Sequence, residues 1–156
     1  MTIERNKESS ELVDVEQGQS GFAAAPDGIG SSGMGPCIAA AVLNHSQGKA
    51  WLVHESGWSV NSQLLDDIFD DARAAAAEHD KITLWLLGAC IGDTQDPEVV
   101  EMTRADRKMA LERAQDRFPS ATIVTEFSDD PEVMSMSVEF EYDGSKWVEE
   151  MTRDSW

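Results

Sequence analysis

Positive charge is scarce in this chain of 156 residues: twelve Lys and Arg stand against thirty Asp and Glu, a formal charge of −18 at pH 7. A field of that sign repels phosphate backbones and anionic headgroups over most of the surface, which argues against nucleic-acid and membrane-surface roles. Long apolar runs are lacking too. No stretch approaches the ~18 residues that span a bilayer, and the first residues, MTIERNKESSELVDVEQGQS, lack the apolar centre of a secretory signal. A cytoplasmic protein without membrane insertion is expected. Cysteine is nearly absent: Cys37 and Cys90 stand 53 positions apart with no C-x-x-C spacing, so no structural disulfide and no metal site is expected, and no cofactor is implied.

The acidic residues run the whole length of the chain, and only five of the twelve basic residues are Lys. Such a solvated acidic shell suits an ordinary cytosolic protein, and it also suits a halophilic one, where molar salt screens the self-repulsion. At ~100 to 200 residues per domain the chain makes one domain. Residues 1–20, polar and charged with one short apolar patch around Leu12 and Val13, are expected to be a flexible acidic N-terminus with room for one edge strand. Residues 21–150 form the domain and 151–156 a tail.

Gly28, Gly30, Gly33 and Gly35, interleaved with Ser31 and Ser32, read as a glycine-rich loop that Pro36 stiffens at its exit. Two apolar runs follow, Cys37 to Leu43 and Lys49 to Glu55, separated by the polar turn Asn44 to Gly48, and together they read as a β-hairpin. A turn centred between positions 45 and 46 sets Cys37 opposite His54. From Asn61 to His79 apolar residues recur at helical spacing, with Asn61 suited to the N-cap, Val60 to a staple on Leu65, and Asp66, Asp67, Asp70 and Asp71 on a solvated face. Ile82 to Gly88 is a buried strand, Asp96-Pro97 opens a helix that Pro119 ends, and Ala121 to Phe127 is a strand. Met134, Met136, Val138, Phe140 and Tyr142 alternate with polar residues, and Asp143-Gly144 turns that strand onto Lys146 to Val148. Six or seven strands and two helices make an α+β or mixed α/β domain.

A cysteine does nucleophilic work as its thiolate, so it needs a base or a positive field to act below its ordinary pKa of ~8.5. His54 supplies that base for Cys37 in the expected hairpin. A third polar group would fix the imidazole tautomer, and the glycine-rich loop offers N–H groups for an oxyanion. Cys90, at the end of a buried strand, reads as a small hydrophobe, and His45 and His79 as surface histidines. Trp51 and Trp85 belong to apolar strands, whereas Trp58 suits either a cleft wall or a cap on the core.

Ser31-Ser-Gly-Met-Gly-Pro-Cys37, followed by two strands of which the second ends in His54, resembles the chemoreceptor glutamine deamidase family, CheD. That family reads T-L-G-L-G-S-C with a histidine seventeen residues beyond the cysteine. The resemblance spans about residues 20–149. It implies Cys37 as nucleophile, His54 as base, Ser31 in place of the threonine that completes the triad, and Gly33 and Gly35 at the oxyanion or substrate site. It also implies an α+β fold, a mixed β-sandwich with helices packed outside. The implied activity is deamidation of protein glutamine side chains, with glutamyl methyl-ester hydrolysis by the same thioester chemistry. The implied partners are a methyl-accepting chemoreceptor as protein substrate and a CheC-type phosphatase. Pro36 and the Glu55-Ser56-Gly57 continuation depart from the family pattern and leave a non-catalytic interaction domain of the same fold as the alternative.

Overall fold

The computed structural model describes residues 10–56 and 63–155. Among these, nine strands and two helices form an α+β fold of three layers: a four-stranded sheet, a five-stranded sheet, and two helices on the outer face of the latter. The strands are β1 (Leu12–Asp14), β2 (Gln19–Ala24), β3 (Gly28–Ser31), β4 (Ile38–Asn44), β5 (Lys49–Glu55), β6 (Ile82–Gly88), β7 (Thr122–Phe127), β8 (Val133–Tyr142) and β9 (Trp147–Ser155). The helices are α1 (Gln63–Ala75) and α2 (Pro97–Arg117). One sheet has the order β1-β3-β8-β9, the other β2-β5-β4-β6-β7, and each contains one parallel pair, β1 with β3 and β6 with β7.

Strand alternation builds two cores from the central sheet. Ala39, Ala41 and Leu43 of β4 and Ala50 and Leu52 of β5 face the four-stranded sheet, where they meet Ile29, Met136, Val138 and Phe140. Ile38, Ala40 and Val42, with Trp51 and Val53, face the other way and meet Leu65, Ile68, Phe69 and Ala72 of α1 and Ala110 and Ala114 of α2. Both faces of β4 and β5 are therefore covered, which explains their unbroken apolar runs. The start of α2 follows from Asp96, whose carboxylate accepts the Glu98 N–H at 3.0 Å, with Pro97 in the first turn.

Several expectations need correction. The edge strand expected around Leu12 and Val13 is β1, but the fold takes in more of the N-terminal segment than that: Val15 is buried, because its apolar side chain fills the space between the sheets, and β2 begins at Gln19. The tail is likewise a strand, since β9 runs through Ser155 beside β8. The first half of the glycine-rich segment is not a loop but β3, fully buried. Its glycines serve close backbone approach, and a Cβ on Gly30 would stand 2.5 Å from the Val138 carbonyl oxygen. Met134 falls at an irregularity of β8, between Val133 and Ser135, so it is out of phase with the buried Met136. Trp58, Val60 and Asn61 lie outside the described residues.

The hairpin register also differs. Asn44 pairs with Lys49 and Ala39 with His54, so the loop has four residues, His45 to Gly48, closed by Gly48 at φ +65° and by the Gln47 N–H donating to the Asn44 side chain at 3.0 Å. Cys37 stands two positions along from the residue that His54 faces. A slip of two keeps the parity that a slip of one would have reversed.

Candidate functional site

β3 carries Ser31 on one sheet and β5 carries His54 on the other, and the two side chains meet across the sandwich. Ser31 Oγ lies 2.8 Å from His54 Nδ1 and 2.5 Å from the Val15 carbonyl oxygen. A hydroxyl has one proton, and a carbonyl oxygen only accepts, so Ser31 donates to Val15 and accepts from His54. The imidazole therefore carries its proton on Nδ1. That leaves Nε2 as a lone pair, and this atom is buried with no hydrogen-bond partner. A buried acceptor in that state costs ~1–3 kcal/mol, which the fold tolerates at a ring only 2% exposed. Burial also lowers the His54 pKa below its ordinary 6.5, so the neutral, proton-accepting form dominates at neutral pH.

Cys37 is the residue before β4 and has the parity of Ala39, the direct partner of His54. Continuing the ladder one residue past Ile38 would set Cys37 diagonal to His54, a relation that in a regular sheet brings Cβ atoms to within roughly 7–8 Å. The thiol-bearing residue is 6% exposed. Glu55, adjacent to His54 in sequence, has the opposite parity and cannot share its role; its Oε1 is unpartnered, and burial raises its pKa.

The second half of the glycine-rich segment lies against two strands' worth of backbone. Met34 exchanges hydrogen bonds with Met136, N–H to O at 3.0 Å and O from N–H at 3.2 Å. The Gly35 N–H donates to the Gly33 carbonyl at 3.0 Å, Gly33 itself has φ +72° with open space where a Cβ would stand, and Pro36 has no N–H to offer. Two of the N–H groups that the resemblance associates with an oxyanion are thus engaged within the protein. On the other side, Ala89 N–H donates to the Cys37 carbonyl at 2.7 Å and Cys90 N–H to that of Gly35 at 2.8 Å.

Cys90 is buried among the sandwich residues, its thiol 3.6 Å from the Met34 carbonyl oxygen, and burial pushes its pKa up, against the pull of Arg107 and Arg153. His45 is not the surface residue expected: its Nδ1 accepts the Trp147 N–H at 2.9 Å, so its Nε2 proton goes to Thr83 Oγ1 at 2.9 Å. His79 is exposed beyond the end of α1. Among the described residues no three of His, Cys, Asp and Glu gather where they could hold a metal ion. A groove of about 530 Å³ lies at the far end of the central sheet between His45, Lys81, Arg117 and Thr122, away from Cys37.

Two contributors have no sequence signal. The Val15 carbonyl is a backbone atom, and Arg107, which grips the turn beside Cys37, is one of four arginines on its helix. No helix among the described residues is long and apolar enough to cross a membrane. Neither protein-family models nor curated proteins provide a match to this chain.

Proposed function

We propose that the chain is a cysteine hydrolase that deamidates glutamine side chains of a protein substrate. The observation that carries this reading is the state of His54: a Ser31 oxygen holds the Nδ1 proton, and Nε2 is left as an unpartnered lone pair on β5, whose neighbour β4 begins directly after Cys37. In the reaction, Nε2 takes the Cys37 proton as sulfur attacks the amide carbon, and the imidazolium returns that proton to the departing ammonia. The acyl-thioester is then hydrolysed by water that His54 deprotonates, which yields a glutamate and restores the thiol. Ser31 fixes the tautomer through both half-reactions.

The low exposure of Cys37 and His54 favours a slim substrate group. A glutamine side chain ends in a flat amide on two methylenes and fits that requirement, as does a glutamyl methyl ester. The resemblance to the CheD family directs the search to methyl-accepting chemoreceptors as substrate, with a CheC-type phosphatase as a regulatory partner and the cytoplasm as the location. A second reading, a non-catalytic interaction domain, draws on Pro36 and on the Met34 and Gly35 N–H groups that are already engaged.

Intact-mass labelling of the native protein with limiting iodoacetamide separates the two, in wild type, Cys37→Ala and His54→Ala. Fast, His54-dependent alkylation of Cys37 with slow Cys90 supports the enzyme, and ammonia release from a glutamine-bearing chemoreceptor fragment then identifies it. Equally slow labelling of both thiols supports the interaction domain.

A further inference from the structure

The loop that delivers Cys37 to β4 is tied to one neighbouring turn through two of its carbonyls. Pro36 has no N–H, and the carbonyls on either side of it, those of Gly35 and Cys37, are both held by one turn, Gly88 to Cys90. That turn is left-handed twice over, with Gly88 at φ +86° and Ala89 at φ +42°. A Cβ on Gly88 would stand 2.5 Å from the Cys37 carbonyl oxygen, so the approach requires glycine there. Ala89 has no such excuse and must be kept in its conformation by something else.

Arg107 of α2 does so. Its Nη2 and Nε donate to the Ala89 carbonyl at 2.7 and 3.1 Å, Nη2 reaches the Ser128 carbonyl at 2.9 Å, and Nη1 pairs with Asp129 at 2.7 Å. The guanidinium lies over the Phe127 ring, 5.4 Å from its centroid, on a side chain only 14% exposed. The Ala89–Cys90 peptide is planar and trans, so its carbonyl and its N–H point in opposite directions. Fixing Ala89 O on the arginine therefore aims the Cys90 N–H at the Gly35 carbonyl. A lysine offers no planar fork and cannot make the same set of contacts.

We infer that Arg107 is a positioning residue for Cys37, clamping the 88–90 turn so that the 35–37 loop presents the nucleophile at the start of β4, a role that rests on the reading of Cys37 as the nucleophile. Arg107 touches neither the thiol nor a substrate; it acts through two peptide units.

The test is the pH–rate profile of Cys37 alkylation, followed by intact mass, in wild type, Arg107→Met, Arg107→Lys, His54→Ala and the double variant His54→Ala/Arg107→Met. Arg117→Met serves as control, because Arg117 is also an ion-paired arginine of α2 but pairs with Asp66 and Asp70. Both Arg107 variants are expected to label Cys37 about tenfold or more slowly at neutral pH, since small displacements of reacting groups cost as much as ~10²-fold. Their profiles should match that of an unassisted thiol, and the double variant should label no more slowly than His54→Ala alone. Arg117→Met should stay within about twofold of wild type whatever it does to stability. Should Arg107→Met fail to fold, Arg107→Lys, which keeps the charge, carries the test. A folded Arg107 variant that labels at the wild-type rate with its dependence on His54 intact overturns the positioning role while leaving the nucleophile in place. A wild-type Cys37 that is no more reactive than Cys90 overturns the nucleophile, and the positioning role with it.

Discussion

The hairpin of β4 and β5 bears a buried or half-buried histidine toward each end, and the two are in opposite states. At the turn, His45 has both ring nitrogens engaged, by the Trp147 N–H and by Thr83, and its carbonyl accepts the Tyr142 hydroxyl at 2.6 Å. At the other end, His54 has one nitrogen on Ser31 and the other on nothing. Burial lowers both pKa values, so the electrostatic environment alone does not tell them apart. Hydrogen-bond satisfaction does. His45 is a strut that joins β9 to β6, whereas His54 keeps a lone pair in hand at a cost in stability, and that is the condition of a general base.

The largest test of this contrast is chemical. His54→Ala should slow alkylation of Cys37 at neutral pH by ~10²-fold or more, the usual contribution of a positioned base, while His45→Leu leaves the rate of the folded protein unchanged. Stability should respond the other way. In urea unfolding, His45→Leu is expected to lose about 2 kcal/mol by stranding the Trp147 N–H, and His54→Leu less than about 1 kcal/mol because it removes an atom that is already unpartnered. A larger loss at His54 would break the comparison. Ser31→Ala should slow Cys37 alkylation about tenfold by freeing the tautomer, with Ser31→Thr close to wild type, read in the same mass assay. The smallest effect is on pH dependence. Folding favours the neutral form of both rings, so their contribution to stability is complete above pH 6.5 and is lost as pH falls through the lowered folded values. Urea midpoints measured from neutral pH to about pH 5 should fall in wild type and fall less in His45→Leu.

What could be read from the chain was what local chemistry writes into it. The bounds of β5 and β6 match their apolar runs, and α2 begins at its Asp96-Pro97 signal. The α+β class and the sandwich with outer helices hold. Where the reading slipped, the deciding partner lay far along the chain. β3 looks like a loop because glycines mark both flexible turns and close backbone contact, and only β8 reveals which applies. The hairpin register turned on a loop of four residues that composition does not distinguish from a shorter one. Ser31 entered through a resemblance and lies 2.8 Å from His54 Nδ1, yet the Val15 carbonyl that decides the tautomer leaves no trace in side-chain chemistry.

Because Ser31 belongs to one sheet and His54 to the other, their hydrogen bond is a caliper set across the thickness of the sandwich. Ala39, the direct partner of His54, and Ala41 keep small side chains on the same inner face of the sheet. Enlarging either would prise the layers apart and part the two side chains without touching them. The volume allowed to an alanine methyl in β4 would thereby bear on the distance between a hydroxyl on one sheet and an imidazole on the other, and hydrostatic pressure, which acts on interlayer space, would be a way to change that distance from outside.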